Sequence, residues 1–222
     1  LEVQVRALYE HARCRWSYTA CERIDENGNP LSNQKLAAMA PRDGWILEPL
    51  LRLETAIAMP AVVAERDLIN AIGRFDERQR YGEFHDLCLR LAMKSEVVAI
   101  AQPLCSVRAH DEHYSGDRVA AHTSWMQLYA KMAELVPDSQ LRSLCLRMRA
   151  EQSWTLVRMG RKASGYRGLL TTLPRALMLS WRHPRLWYDA LRNTVSVVVP
   201  DAFRSASPGP EQVHGKERQR LQ

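Results

Sequence analysis

Apolar residues at positions 1, 5, 8 and 12 recur at helical spacing and predict an opening helix over residues 1–12. The period then changes: Trp16, Tyr18 and Ala20 alternate with polar or small neighbours in residues 14–21, the pattern of a half-buried strand. Residues 25–30, Asp-Glu-Asn-Gly-Asn-Pro, read as a tight turn, because Asn-Gly accepts positive φ at little cost. After a polar loop, residues 45–54 are helical in character and 56–63 are apolar enough for a short buried strand. Residues 65–72 form a helix that Gly73 closes.

Residues 83–93 place Phe84, Leu87, Cys88 and Leu91 on one helical face, with Asp86 and Arg90 paired four apart on another. Residues 97–100 and 104–107 read as two short strands separated by Gln102-Pro103, and 111–117 as a polar loop. From Val119 the pattern is helical almost to Pro200, with breaks predicted at Pro137, Gly165, Pro174 and Pro184. The polar stretch 205–222, bearing Pro and Gly, is expected to be disordered, and no internal repeat is visible.

Composition narrows the class. With 222 residues, 46% of them hydrophobic and 25% charged, the chain can bury a core, and it holds no uninterrupted apolar run of about 18 residues. It shows no secretory signal, and Leu1 already sits inside a helical pattern without a cap, so the N-terminus reads as that of a fragment or a processed chain. Five cysteines, an odd number without a C-x-x-C pair, argue against a disulfide framework and a structural zinc site, and for a reducing, cytoplasmic setting.

Charge is uneven. Residues 1–118 carry 15 Lys and Arg against 18 Asp and Glu, whereas 119–222 carry 16 against 7, so the formal net charge of +6 belongs to the C-terminal part. Residues 141–192 hold 11 basic side chains against Glu151 and Asp189, with Trp154, Trp181 and Trp187 interleaved, and Leu170, Leu173, Leu177 and Trp181 share one helical face. Such helices fit either the interface of an anionic membrane or packing onto the rest of the protein, and the packing reading has the slight edge. Nucleic acid is a poorer partner, since no recognition motif is present and the aromatics lie in apolar stripes.

The order of residues 64–77, Ala-Glu-Arg-Asp-Leu-Ile-Asn-Ala-Ile-Gly-Arg-Phe-Asp-Glu, and 81–92, Tyr-Gly-Glu-Phe-His-Asp-Leu-Cys-Leu-Arg-Leu-Ala, resembles the second half of a family 2 glycosyltransferase. The match rests on Gly73, Phe75, Asp76, Glu77, Glu83, Asp86, Leu87, Leu89 and Arg90, then Pro103-Leu104, Arg108 and His110. Residues 1–5 and 18–29 are similar to the helix and strand after that family's Asp-x-Asp motif, so the resemblance covers about residues 1–118. It implies an α/β fold: residues 1–118 as the acceptor-side, C-terminal part of a GT-A domain, followed by a basic α-helical extension over 119–200 and a disordered tail over 201–222.

The implied activity is transfer of a sugar from a nucleotide-sugar donor to a hydroxyl acceptor, for instance in cell-surface polysaccharide synthesis, by a cytoplasmic protein peripheral on the inner membrane face. In the family a divalent cation, Mg or Mn, sits on the Asp-x-Asp carboxylates. This sequence contains no Asp-x-Asp, and the nucleotide-cradling half is absent, so the cation belongs to a full-length parent and this chain alone is expected to be inactive. A sheet cut there would also expose strand edges.

Where inverting members place the general base, this chain has Phe84, which cannot accept a proton. Glu83 or Asp86 can substitute from the same helix. Glu83 is the stronger candidate because it points off the apolar stripe, although a carboxylate stabilising a helix N-terminus explains it as well. By resemblance Arg108 and His110 bind donor or acceptor, Arg through its planar fork and His as a neutral ligand. His110 and His113 together are too few to constitute a metal site, and Asp76 and Glu77 read as local hydrogen bonding after Gly73. The alternative is a degenerate, non-catalytic transferase half acting as a membrane-surface or partner-binding module.

Overall fold

A computed structural model of the chain describes residues 1–31, 41–109, 117–183 and 186. Within it β1 (Cys14–Ile24) is the central strand of a three-stranded sheet, antiparallel to β2 (Val62–Ala64) and parallel to β3 (Glu96–Arg108). The central place changes the expected alternation. Ser17 and Thr19 are buried like Trp16 and Tyr18, so this part of β1 is covered on both faces. The polar groups so buried find partners: Gln4 of α1 (Glu2–Glu10) donates to the Ala61 carbonyl at 2.9 Å and to Ser17 Oγ at 3.4 Å, and the Thr19 hydroxyl donates to the Ala20 carbonyl.

Two strand expectations are corrected by prolines. Residues 56–63 do not form one strand: Met59–Ala61 is a 3-10 turn with Pro60 inside it, and pairing begins at Val62. Pro60 has no N–H for a ladder, and its fixed φ suits the turn. Gln102-Pro103, in contrast, does not divide two strands. β3 runs through as 13 residues, and the register jumps where Thr19 pairs with Ile100 and Ala20 with Pro103, so a bulge absorbs the missing donor. The turn after β1 forms as read, with Asn29 N–H donating to Asp25 Oδ1 at 2.7 Å.

Helix α2 (Leu47–Leu51) is shorter than residues 45–54, and α3 (Arg66–Ala71) ends just before Gly73. α4 (Glu83–Ala92) follows. α5 (Arg118–Leu135) is capped by Asp117, whose carboxylate accepts from Ala120 N–H, and it stops at Val136, which is extended as a residue before proline tends to be. Asp138 then caps α6 (Ser139–Ser180) through Leu141 N–H. α6 kinks at Ser164-Gly165, where Gly165 takes φ 56° and ψ −131°, and its second arm returns so closely that a Cβ on Gly168 would lie 2.0 Å from the Gly160 carbonyl oxygen. Of the predicted breaks, that at Gly165 forms, whereas Pro174 lies inside the second arm without interrupting it.

Trp16, Leu50, Leu68, Leu89 and Leu91 share one core with Leu128, Tyr129 and Met132 of α5 and with Cys145 and Met148 of α6. The core therefore runs across the boundary at 118/119, because the apolar faces of α5 and of the start of α6 join the same cluster. Residues 1–179 form one compact unit and residues 180–222 a second; in the second, Arg182 stacks 4.8 Å over the Trp181 ring. No helix among the described residues is long and apolar enough to cross a membrane. Pro184, Trp187 and the predicted tail lie outside those residues.

Candidate functional site

Helix α4 carries both candidate carboxylates, and its sequence explains how differently it holds them. Every residue from Asp86 to Ala92 is buried, because α4 is enclosed by α2, α5 and the sheet side of the core rather than lying on it with one face free. Its first turn alone reaches the surface. Gly82 precedes it with φ 75°, and a Cβ there would already touch the Trp125 ring at 3.5 Å, so the chain enters the helix tightly against α5. Glu83 is then exposed beside the partly buried Phe84, and it takes no hydrogen-bond or ion-pair partner among the described residues.

Asp86, three residues on, is 0% exposed. Its Oδ2 accepts from Arg90 Nε at 2.9 Å and Nη2 at 2.5 Å, and its Oδ1 accepts from Lys131 Nζ at 2.8 Å. The same ammonium donates to Asp76 Oδ2 at 2.9 Å, and Arg90 Nη1 donates to the Ile72 carbonyl at 2.6 Å. Both oxygens of the buried carboxylate are thus satisfied, and the cluster ties α4 to α5 and to the loop after α3. The pairing of Asp86 with Arg90 is readable from their spacing; its burial is not, since i, i+4 charges are usually solvated.

Asp76 keeps the local bonds expected of it, to Arg78 N–H at 3.1 Å and Arg78 Nε at 3.0 Å. Arg78 and then Lys131 hold its carboxyl well below the usual carboxylate range. Gln79 adds a second tie from the loop to α5, donating to Ser124 O at 3.0 Å and to Tyr81 O at 2.7 Å. The residues before Glu83 are therefore fixed by α5.

Under the first turn lies a ring cluster: His85 is 4.9 Å from Trp125, which is 6.0 Å from Tyr129. Burial pushes the His85 imidazole down to about 4, against a hydrogen bond to the Leu50 backbone, and its Nε2 has no partner among the described residues. The sequence pattern singles out neither His85 nor Lys131. A signal for Lys131 is nevertheless present in the run Leu-Tyr-Ala-Lys-Met-Ala, one charge among residues that pack inward.

Arg108 stands on a different element. It ends β3 opposite Ile24, and its Nη1 donates to the carbonyls of Asp25 at 2.9 Å and Glu26 at 2.6 Å, clamping the turn after β1. No hydrogen bond or ion pair joins it to α4 among the described residues. His110 lies outside the described residues, as does His113. No three His, Cys, Asp or Glu side chains among the described residues converge as a cation site requires. The structure thus brings Glu83 and Asp86 into one helical turn, one open and one locked, and places Arg108 at the end of the sheet. No protein-family model matches the chain, and no curated protein matches it.

Proposed function

We propose that the chain is the acceptor-side part of a glycosyltransferase that moves a sugar from a nucleotide-sugar donor to a hydroxyl acceptor, with Glu83 as the general base. The observation that carries this reading is the division of labour on α4. Glu83 is an exposed carboxylate at the mouth of the helix, and Asp86 is committed to Arg90 and Lys131. A base must reach the hydroxyl proton it removes, which an open carboxylate can do and a saturated, buried one cannot. Asp86 is then a positioning residue, fixing the helix that presents Glu83. Arg108 retains donors beyond its bonds to the turn and suits a phosphate oxygen.

In the proposed step the acceptor oxygen attacks the anomeric carbon as Glu83 takes its proton, and the bond from that carbon to the nucleoside diphosphate breaks. A divalent cation in the parent's nucleotide half would stabilise the departing diphosphate; the residues described in this chain do not supply its ligands. Cytoplasmic placement belongs to the same reading. In the full-length protein, Glu83→Gln should lower acceptor-dependent release of nucleoside diphosphate about 100-fold while leaving thermal stability near that of the parent. Retention of the parent rate refutes the assignment.

A second reading, a non-catalytic module on an anionic membrane, is favoured by Leu170 and Met178, which are 72% and 66% exposed on a helix that also carries Arg167 and Arg175. It predicts flotation of the protein with phosphatidylserine vesicles at low salt and its loss in Leu170→Ser. Absence of binding to those vesicles removes it.

A further inference from the structure

Cys21 and Cys105 face each other across the parallel pair formed by β1 and β3, at matched register positions just beyond the bulge at Pro103. Their sulfurs stand 2.7 Å apart, and both side chains are partly exposed, whereas Cys14, Cys88 and Cys145 are buried. Two sulfurs held this way need only a side-chain rotation to meet the geometry of a covalent bridge, with no movement of either strand. We propose that Cys21 and Cys105 are a redox-active dithiol that a low-molecular-weight disulfide converts to an intramolecular disulfide.

The exchange balances in two steps. One thiol, losing its proton, attacks a sulfur of the small disulfide, whose S–S bond breaks and releases one small thiolate; the neighbouring thiol then attacks the mixed disulfide and releases the second. The protein pair loses two electrons and two protons, and the small disulfide gains them as two thiols. Burial, with the adjoining Cys105, holds the Cys21 thiol up at about 12, so at neutral pH Cys21 itself rests as a neutral thiol. Proximity makes the second step fast, since the attacking sulfur is already in contact.

The bridge would fasten the end of the sheet that carries the other cross-strand ties. Ser106 Oγ donates to Glu22 Oε1 at 2.6 Å, and Arg108 clamps the turn at Asp25 and Glu26. Oxidation would thus stiffen the seat of Arg108 by a covalent link three residues away. The sheet register and the two thiols carry this pairing by themselves, whether or not the chain belongs to a transferase.

The test is incubation of the full chain with oxidised glutathione, followed by an acid quench, unfolding in denaturant, maleimide counting of free thiols and tryptic mass mapping. The expected result is a fall in thiol titre from five to three, a cross-linked species joining the peptides 16–23 and 95–108, and reversal by dithiothreitol. Cys21→Ser and Cys105→Ser should each abolish the cross-link and instead accumulate the glutathione adduct on the remaining cysteine. A stable glutathione adduct on either residue of the unsubstituted chain, or five free thiols after prolonged incubation at about pH 8.5, near the ordinary thiol pKa, would overturn the proposal.

Discussion

At the scale of single residues, Glu83 and Asp86 show how three positions on one helix can give two carboxylates opposite surroundings. The carboxylates are identical in chemistry and differ in whether water or cations meet them. The two perturbed groups beside them, Asp76 and His85, govern a different property, the response to acid. The Asp76 carboxyl is depressed by Arg78 and Lys131, so its contribution to stability is complete above the ordinary carboxylate value and disappears as pH falls below it. His85 is partly buried, and the burial of its ring pushes the imidazole down to about 4, so between about 6.5 and 4 the unfolded chain takes up a proton that the folded chain refuses. Stability should therefore decline in two stages on acidification. His85→Gln should remove the upper stage, worth on the order of 2 kcal/mol, measured as the difference in urea midpoint between about pH 7 and about pH 4.5 against the parent. An unchanged difference would show that the His85 ring is not held neutral.

At the scale of elements, local sequence rules find most helices and turns and fail where a third body decides the outcome. The stop at Gly73, the turn around Gly28 and the stop before Pro137 are legible because the residue itself sets the backbone there. Pro60 and Pro103 look alike in sequence, yet one lies in a 3-10 turn and the other in a bulge of a long strand; the partner β1, running the length of β3, is what distinguishes them. The burial of Ser17 and Thr19, and of Asp86 with Arg90, likewise follows from neighbours far along the chain. The return of α6 is an element-scale device with a sharp test. Because a Cβ at Gly168 would meet backbone at Gly160, Gly168→Ala should force the arms apart and cost about 1 to 3 kcal/mol, read as a lowered melting temperature. Unaltered melting would mean that the arms do not approach so closely.

For the whole molecule, the apolar faces of α5 and the first arm of α6 belong to the core that also holds Trp16 and Leu89, and burial continues past Met148 to Trp154 and Val157, so the first arm of α6 is built into the fold. Sequence shows Lys131 as a lone charge in an apolar run but not what it meets: from α5, beyond residues 1–118, it completes the charge cluster that seats α4. On the proposed reading α5 is therefore part of the site's scaffold, with Glu83 as the one group that reacts. Chemical rescue tests that claim most directly. In the full-length protein, Glu83→Ala should slow sugar transfer about 100-fold, and added formate, a small carboxylate able to occupy the vacated space, should restore about a tenth or more of the loss. Transfer at the parent rate in Glu83→Ala, or a folded variant whose loss formate does not relieve, would contradict it.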